Sequence, residues 1–178
     1  MTDRPGSPLA SAIDELLERN GGAVVPTLAS LDRIPGRGLA IVTCMDTRIN
    51  LPSALGLAEG DAHIIRNAGG VVTDDVLRSL VISQTLLRTR EIMLIHHTDC
   101  GMEGLQEDDL RAALAAEASV VSEFPIGSFS DVDDAVAEAM SAVRTFPFLR
   151  YRDNVRGFVY DVTTHRLREV EAPANASS

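Results

Sequence analysis

The chain has 178 residues, 45% hydrophobic and 24% charged, which is the length and composition of one ordinary globular domain that can bury a core without disulfide staples. Its net charge is −10, from 26 acidic residues against 16 basic ones that are all arginine, so it lacks the basic surface expected of a protein that binds nucleic acid or an anionic membrane. Two cysteines, Cys44 and Cys100, leave three possibilities open: a disulfide, two buried apolar groups, or two metal ligands.

The first eight residues show no basic start followed by an apolar stretch, so no secretory signal is read there. No apolar run approaches the roughly 20 residues that span a bilayer. The expected compartment is the cytoplasm, where a structural disulfide is disfavoured and metal binding or catalysis becomes the better use of cysteine. Leu9, Ile13, Leu16 and Leu17 fall at helical spacing and predict a helix over Leu9–Arg19, stopped by Asn20-Gly21-Gly22. Residues 24–38 are broken by Pro26, Pro35, Gly36 and Gly38 and read as irregular. The apolar run Leu39–Cys44 predicts a strand buried on both faces, and Ala62–Arg66 a second one ended by Asn67-Ala68-Gly69-Gly70. Thr73-Asp74-Asp75 predicts a capped helix to about Arg88, with Val76, Leu77, Leu80, Val81 and Leu87 on its buried face. Glu91–His96 is a third predicted strand, 107–118 and 131–145 are predicted helices, and 156–162 is a last strand before a turn at Thr163-Thr164-His165. One domain over 1–178 is expected, with 1–8 and 172–178 flexible.

Short apolar strands alternating with helices predict an α/β fold, with a mostly parallel central sheet flanked by helices. Ligands of such sheets bind at the carboxyl ends of the strands. Both cysteines fall there, Cys44 closing the first strand and Cys100 following the third. His97-x-x-Cys100 brings an imidazole and a thiolate within reach of one ion, and Cys44 can add a third ligand. Two thiolates and an imidazole suit zinc, and three protein ligands leave the open position of a catalytic site. Two buried thiols with no metal remain the alternative. Asp46 and Arg48 beside Cys44 put a carboxylate and a guanidinium at the strand mouth. His96 reads as a packed core residue, and His63 and His165 as surface residues able to carry protons.

Cys44-Met45-Asp46-Thr47-Arg48 resembles the Cys-Met-Asp-Ser-Arg signature of the β-class carbonic anhydrases. His97-Thr98-Asp99-Cys100-Gly101 resembles their second zinc motif, and Arg66-Asn67-Ala68-Gly69-Gly70 the stretch between the two. The match covers 39–102, and 157–161 is similar to the closing strand of that fold. The compact length resembles the small bacterial branch. The resemblance implies one Zn2+ per subunit on Cys44, His97 and Cys100, with hydroxide at the open position attacking carbon dioxide to give bicarbonate and a proton. It implies that Asp46 and Arg48 are the catalytic pair, Asp46 accepting a hydrogen bond from that hydroxide and Arg48 holding Asp46. Gly101 is the candidate whose backbone N–H faces the substrate. A homodimer or higher homo-oligomer is implied, with the N-terminal helix packed on the partner. Without a tryptophan, the bicarbonate-inhibition pocket of one branch is not carried over.

Residues 103–130 match no motif and are expected to shape access to the metal. A hydrolase of carbonyl sulfide or carbon disulfide on the same zinc site is the close alternative, followed by a non-catalytic zinc protein of the same fold. A cysteine phosphatase would need arginine six residues after Cys44, where Asn50 stands.

Overall fold

The computed structural model describes residues 12–22 and 31–171. The chain divides into two compact units, Met1–Leu31 and Asp32–Ser178. In the first, helix α1 spans Ala12–Gly22. It runs through the two glycines expected to stop it, because glycine weakens a helix end without forbidding it. Its Ile13, Leu16 and Leu17 are all exposed. The predicted start at Leu9, the flexible ends and residues 24–30 of the irregular stretch lie outside the described residues.

The second unit is a five-stranded sheet in the order β2-β1-β3-β4-β5. Its strands are β1 (Leu39–Cys44), β2 (Ala62–Asn67), β3 (Glu91–His97), β4 (Val155–Tyr160) and β5 (Leu167–Val170). The first four pair in parallel, and β5 is antiparallel to β4. The α/β architecture, mostly parallel and flanked by helices, is thus the one expected. Between β1 and β2 lies a five-residue helix, α2 (Leu51–Leu55), which sequence reasoning missed. Helices α3 (Asp74–Leu87), α4 (Glu107–Ala118) and α5 (Val132–Thr145) complete the unit.

The strands form because Ala40, Ile41, Val42, Leu94 and Ile95 are fully buried, on one face or the other of the central pair. One core layer packs Val76 and Leu80 of α3, and Val136, Met140 and Val143 of α5, against Ala40, Val42, Ile92, Leu94 and Val159. On the opposite face Ile41, Ile95, Phe158 and Tyr160 gather with Ile49, Leu51, Cys44 and Cys100. Thr73 caps α3 through its hydroxyl, as read from sequence, and Arg88 closes it in the left-handed conformation. Leu77, Val81 and Leu87 are half-buried, while Ser83 and Gln84 take fully buried places on that helix. β4, expected to be the last strand, ends at Tyr160, two residues short of its predicted end, and β5 follows it. The Asp161 carboxylate leaves the ladder to accept from the Thr163 and Thr164 N–H groups, which makes the turn into β5.

Candidate metal centre

The site lies at the carboxyl ends of β1 and β3, the two central strands. Cys44 is the last residue of β1 and His97 the last of β3; Cys100 follows in the next turn. The ligand atoms of Cys44, His97 and Cys100 lie within 4.8 Å of one another, and all three residues are buried. Nδ1 of His97 lies 2.9 Å from the Thr98 carbonyl oxygen. A carbonyl only accepts, so Nδ1 carries the proton and Nε2 presents a bare lone pair. That Nε2 is buried and has no hydrogen-bond partner. An orphaned lone pair beside two thiols is the donor set that a soft or borderline cation completes. Burial pushes the Cys100 thiol up to about 11, with Cys44 beside it adding to the rise. Cys100 therefore favours its protonated form until a cation displaces the proton.

The loop after Cys44 is held from three directions. Met45 N–H donates to Asn67 O at 2.8 Å. Arg66 donates from Nε to Cys44 O at 3.0 Å, and from Nη2 to Asp46 O at 2.9 Å and Ile49 O at 3.0 Å. Gly70 sits at φ +72, and a Cβ there would lie 2.9 Å from the Cys44 nitrogen. Glycine is required at that point because the turn after β2 runs directly against the backbone of Cys44.

Asp46 and Arg48 meet as expected. Arg48 Nη2 donates to Asp46 Oδ2 at 2.7 Å and its Nε to Asp46 Oδ1 at 3.0 Å, the parallel fork of a bidentate pair. The Arg48 hydrogen bond holds the Asp46 carboxyl down at about 2 against the opposing effect of its burial. Asp46 Oδ2 stands 3.9 Å from His97 Nε2, at the edge of the ligand trio. Asp99 is a partner the sequence reading missed. Arg48 Nη1 donates to its carboxylate at 2.6 Å and Nη2 to its backbone oxygen at 2.8 Å. One guanidinium thus ties the Cys44 loop to the Cys100 turn, and Asp99 takes a positive φ of 55° to accept it. Gly101 is exposed, and a Cβ there would meet nothing within 4 Å, so the space beside it is open.

The other histidines divide as the sequence suggested for His96, which is 1% exposed in the core. Burial lowers its pKa to about 4, so it is neutral. His63 Nδ1 bonds Ser83 Oγ at 2.8 Å, and His165 Nδ1 bonds the Tyr160 hydroxyl at 2.7 Å. Asn50, where a phosphatase would need arginine, caps α2 instead.

A family model described as carbonic anhydrase matches residues 39–167. Beta-carbonic anhydrase 1 of Mycobacterium tuberculosis is 47% identical over 136 residues, 76% of this chain and 83% of that protein. Carbon disulfide hydrolase of Saccharolobus solfataricus is 32% identical over 186 residues, covering 90% of each chain. Among solved structures, a carbonic anhydrase from Streptococcus mutans superposes with a TM-score of 0.82 at 40% identity, over 92% of this chain and 99% of that one.

Proposed function

Because this chain belongs to the β-carbonic anhydrase family, we propose that it catalyses the reversible hydration of carbon dioxide to bicarbonate and a proton, with one Zn2+ per subunit held by Cys44, His97 and Cys100. The observation that carries the reading is the orphaned His97 Nε2 among two buried thiols, with the fixed Asp46 carboxylate beside it. Zinc held there would supply a Lewis acid that makes a water molecule ionise near neutral pH. Asp46, kept ionised down to about pH 2, accepts a hydrogen bond from the attacking oxygen and orients its lone pair toward carbon dioxide. At that pKa Asp46 is too weak a base to store the proton, which passes on to solvent. Arg48 keeps both Asp46 oxygens engaged, so the carboxylate stays aimed at the attacking water and does not swing into the ligand trio. The open side of Gly101 leaves room for its backbone N–H to face the product oxyanion.

The kinship with carbon disulfide hydrolases favours a second reading, hydrolysis of carbon disulfide or carbonyl sulfide on the same residues. The three exposed apolar residues of α1 support assembly with a second copy of the chain, which light scattering in solution measures. Among the described residues no helix is long and apolar enough to cross a membrane. Zinc content measured together with stopped-flow hydration of carbon dioxide tests the main reading. One zinc per chain with hydration faster than carbon disulfide hydrolysis supports it; the reverse preference favours the second reading, and bound zinc with neither activity sinks both.

A further inference from the structure

We propose that Phe129 is the wall that sets which linear triatomic substrate reaches the ligand trio, and that Glu107 is the positioning residue that seats it; the inference rests on the proposed activity. The chain leaves α4 at Ser119, which takes a positive φ of 56°, and returns to the site as a strap over residues 119–130. Val120, Val121 and Phe124 on this strap are 68%, 71% and 58% exposed, so burial of apolar groups does not hold its first half. A polar clasp from α4 does. Arg111 donates to Ser122 O at 2.8 Å and Phe124 O at 3.0 Å. One turn earlier, Glu107 Oε1 accepts from the Gly127 N–H at 3.1 Å, the Ser128 N–H at 3.0 Å and the Ser128 hydroxyl at 2.9 Å.

The next residue is Phe129. Its N–H donates to Met102 O at 3.2 Å and its O accepts from Gly104 N–H at 2.7 Å, which docks it onto the segment just past Cys100. The Phe129 ring packs against the cluster that contains Cys44 and Cys100. It also stands 5.6 Å from the ring of His96, beside a cavity of about 280 Å3 lined by Val71, Val72, His96, Ser128, Glu138 and Ala139. Both His96 ring nitrogens are buried without partners, and Glu138 and Ser128 are the other polar side chains of this cavity. Phe129 therefore stands between this cavity and the cluster that holds the thiols. Carbon dioxide, carbonyl sulfide and carbon disulfide share shape and neutrality but differ in length, so the position of this ring decides among them by volume.

The test uses the zinc enzyme for turnover and the metal-stripped chain for seating. Phe129→Ala should raise the ratio of carbon disulfide to carbon dioxide turnover by about tenfold. Glu107→Ala should shift the ratio the same way. Glu107→Gln should bring it back toward wild type, because its amide oxygen still accepts from the same three donors. The chain has no tryptophan, so Phe129→Trp places a single emitter in the wall. Its emission in the metal-stripped protein should move to the red when Glu107→Ala is added and hold when Glu107→Gln is added. Hydrogen exchange at the Gly127 and Ser128 amides reads the same seating without touching position 129, and Glu107→Ala should accelerate it. A wild type that turns over neither substrate would sink the proposed activity, while the emission and exchange still decide the seating. An unchanged ratio in Phe129→Ala, or unchanged emission and exchange in Glu107→Ala, overturns the inference.

Discussion

Arg48 holds two carboxylates at once, those of Asp46 and Asp99. The motif places it beside Asp46, and that pairing follows from two residues of separation. Its second partner, Asp99, is 51 residues away and becomes a neighbour only when β1 and β3 lie side by side. The carboxylate was visible in His97-Thr98-Asp99-Cys100, but nothing in the spacing says which cation it meets. Arg66 is similar: it stands in a quoted motif, and its three bonds to the carbonyls of the Cys44 loop appear only once β2 pairs with β1. The Arg48 fork leads to a direct expectation. Arg48→Ala should lower carbon dioxide hydration by about 10- to 100-fold, the usual cost of losing a partner that orients a metal site, while zinc content stays at the wild-type level. Arg48→Lys should not restore it, because one ammonium cannot hold both Asp46 oxygens and reach Asp99 together. Wild-type turnover in Arg48→Ala, measured by stopped flow, would remove the pair from the mechanism.

The elements that carry the site are those with the least ambiguous patterns. Asp131 accepts from the Asp133 and Asp134 N–H groups and so caps α5, the helix that contributes most to one core layer. Asp131→Ala should cost about 1 kcal/mol of stability in urea denaturation, with little change in the hydration rate, since α5 supplies no residue to the ligand trio. β1 and β3 are buried on both faces, so their apolar runs showed in the sequence together with the end that places Cys44, while β3 runs one residue past its predicted end, to His97. Elements made by tertiary context did not show. α2 is five residues long, stabilised by the Asn50 side chain at one end and a left-handed Gly56 at the other. β5 is four residues whose place is fixed by pairing with β4, reinforced by Arg156 with Glu169 and Arg168 with Asp133. A strand that short has no period of its own to read. The strap over 119–130 is the extreme case, since its path depends on Glu107 and Arg111 reaching across from α4.

At the scale of the molecule, the two faces of the sheet set different tolerances. Where α5 crosses β4, a Cβ on Gly157 would lie 2.3 Å from Val136 Cγ1 and 2.9 Å from Met140 Sδ. Gly157→Ala should therefore overpack this layer and cost about 1–3 kcal/mol, with a lower melting temperature as the readout. The opposite face carries the thiols, and there stability is linked to metal and proton together. The Cys100 thiol is raised from 9.0 to about 11 by burial and by Cys44. A group with a raised folded pKa keeps its contribution below the unfolded value and loses it as pH climbs toward the folded one. The metal-free protein should thus lose stability from about pH 9 to pH 11, where the unfolded chain has given up a proton that the native state still holds. Zinc binds the thiolates, so the loaded protein has already lost that proton and escapes the penalty. Zinc at 100 times its dissociation constant should stabilise the native state by about 2.7 kcal/mol if the unfolded chain does not bind it. The difference in melting temperature between loaded and stripped protein should widen as pH rises above 9. In Cys44→Ser the difference should shrink toward zero, because two ligands remain where three are needed. A gap that stays constant with pH, or one that survives in Cys44→Ser, would show that zinc stabilises the chain from somewhere other than this trio.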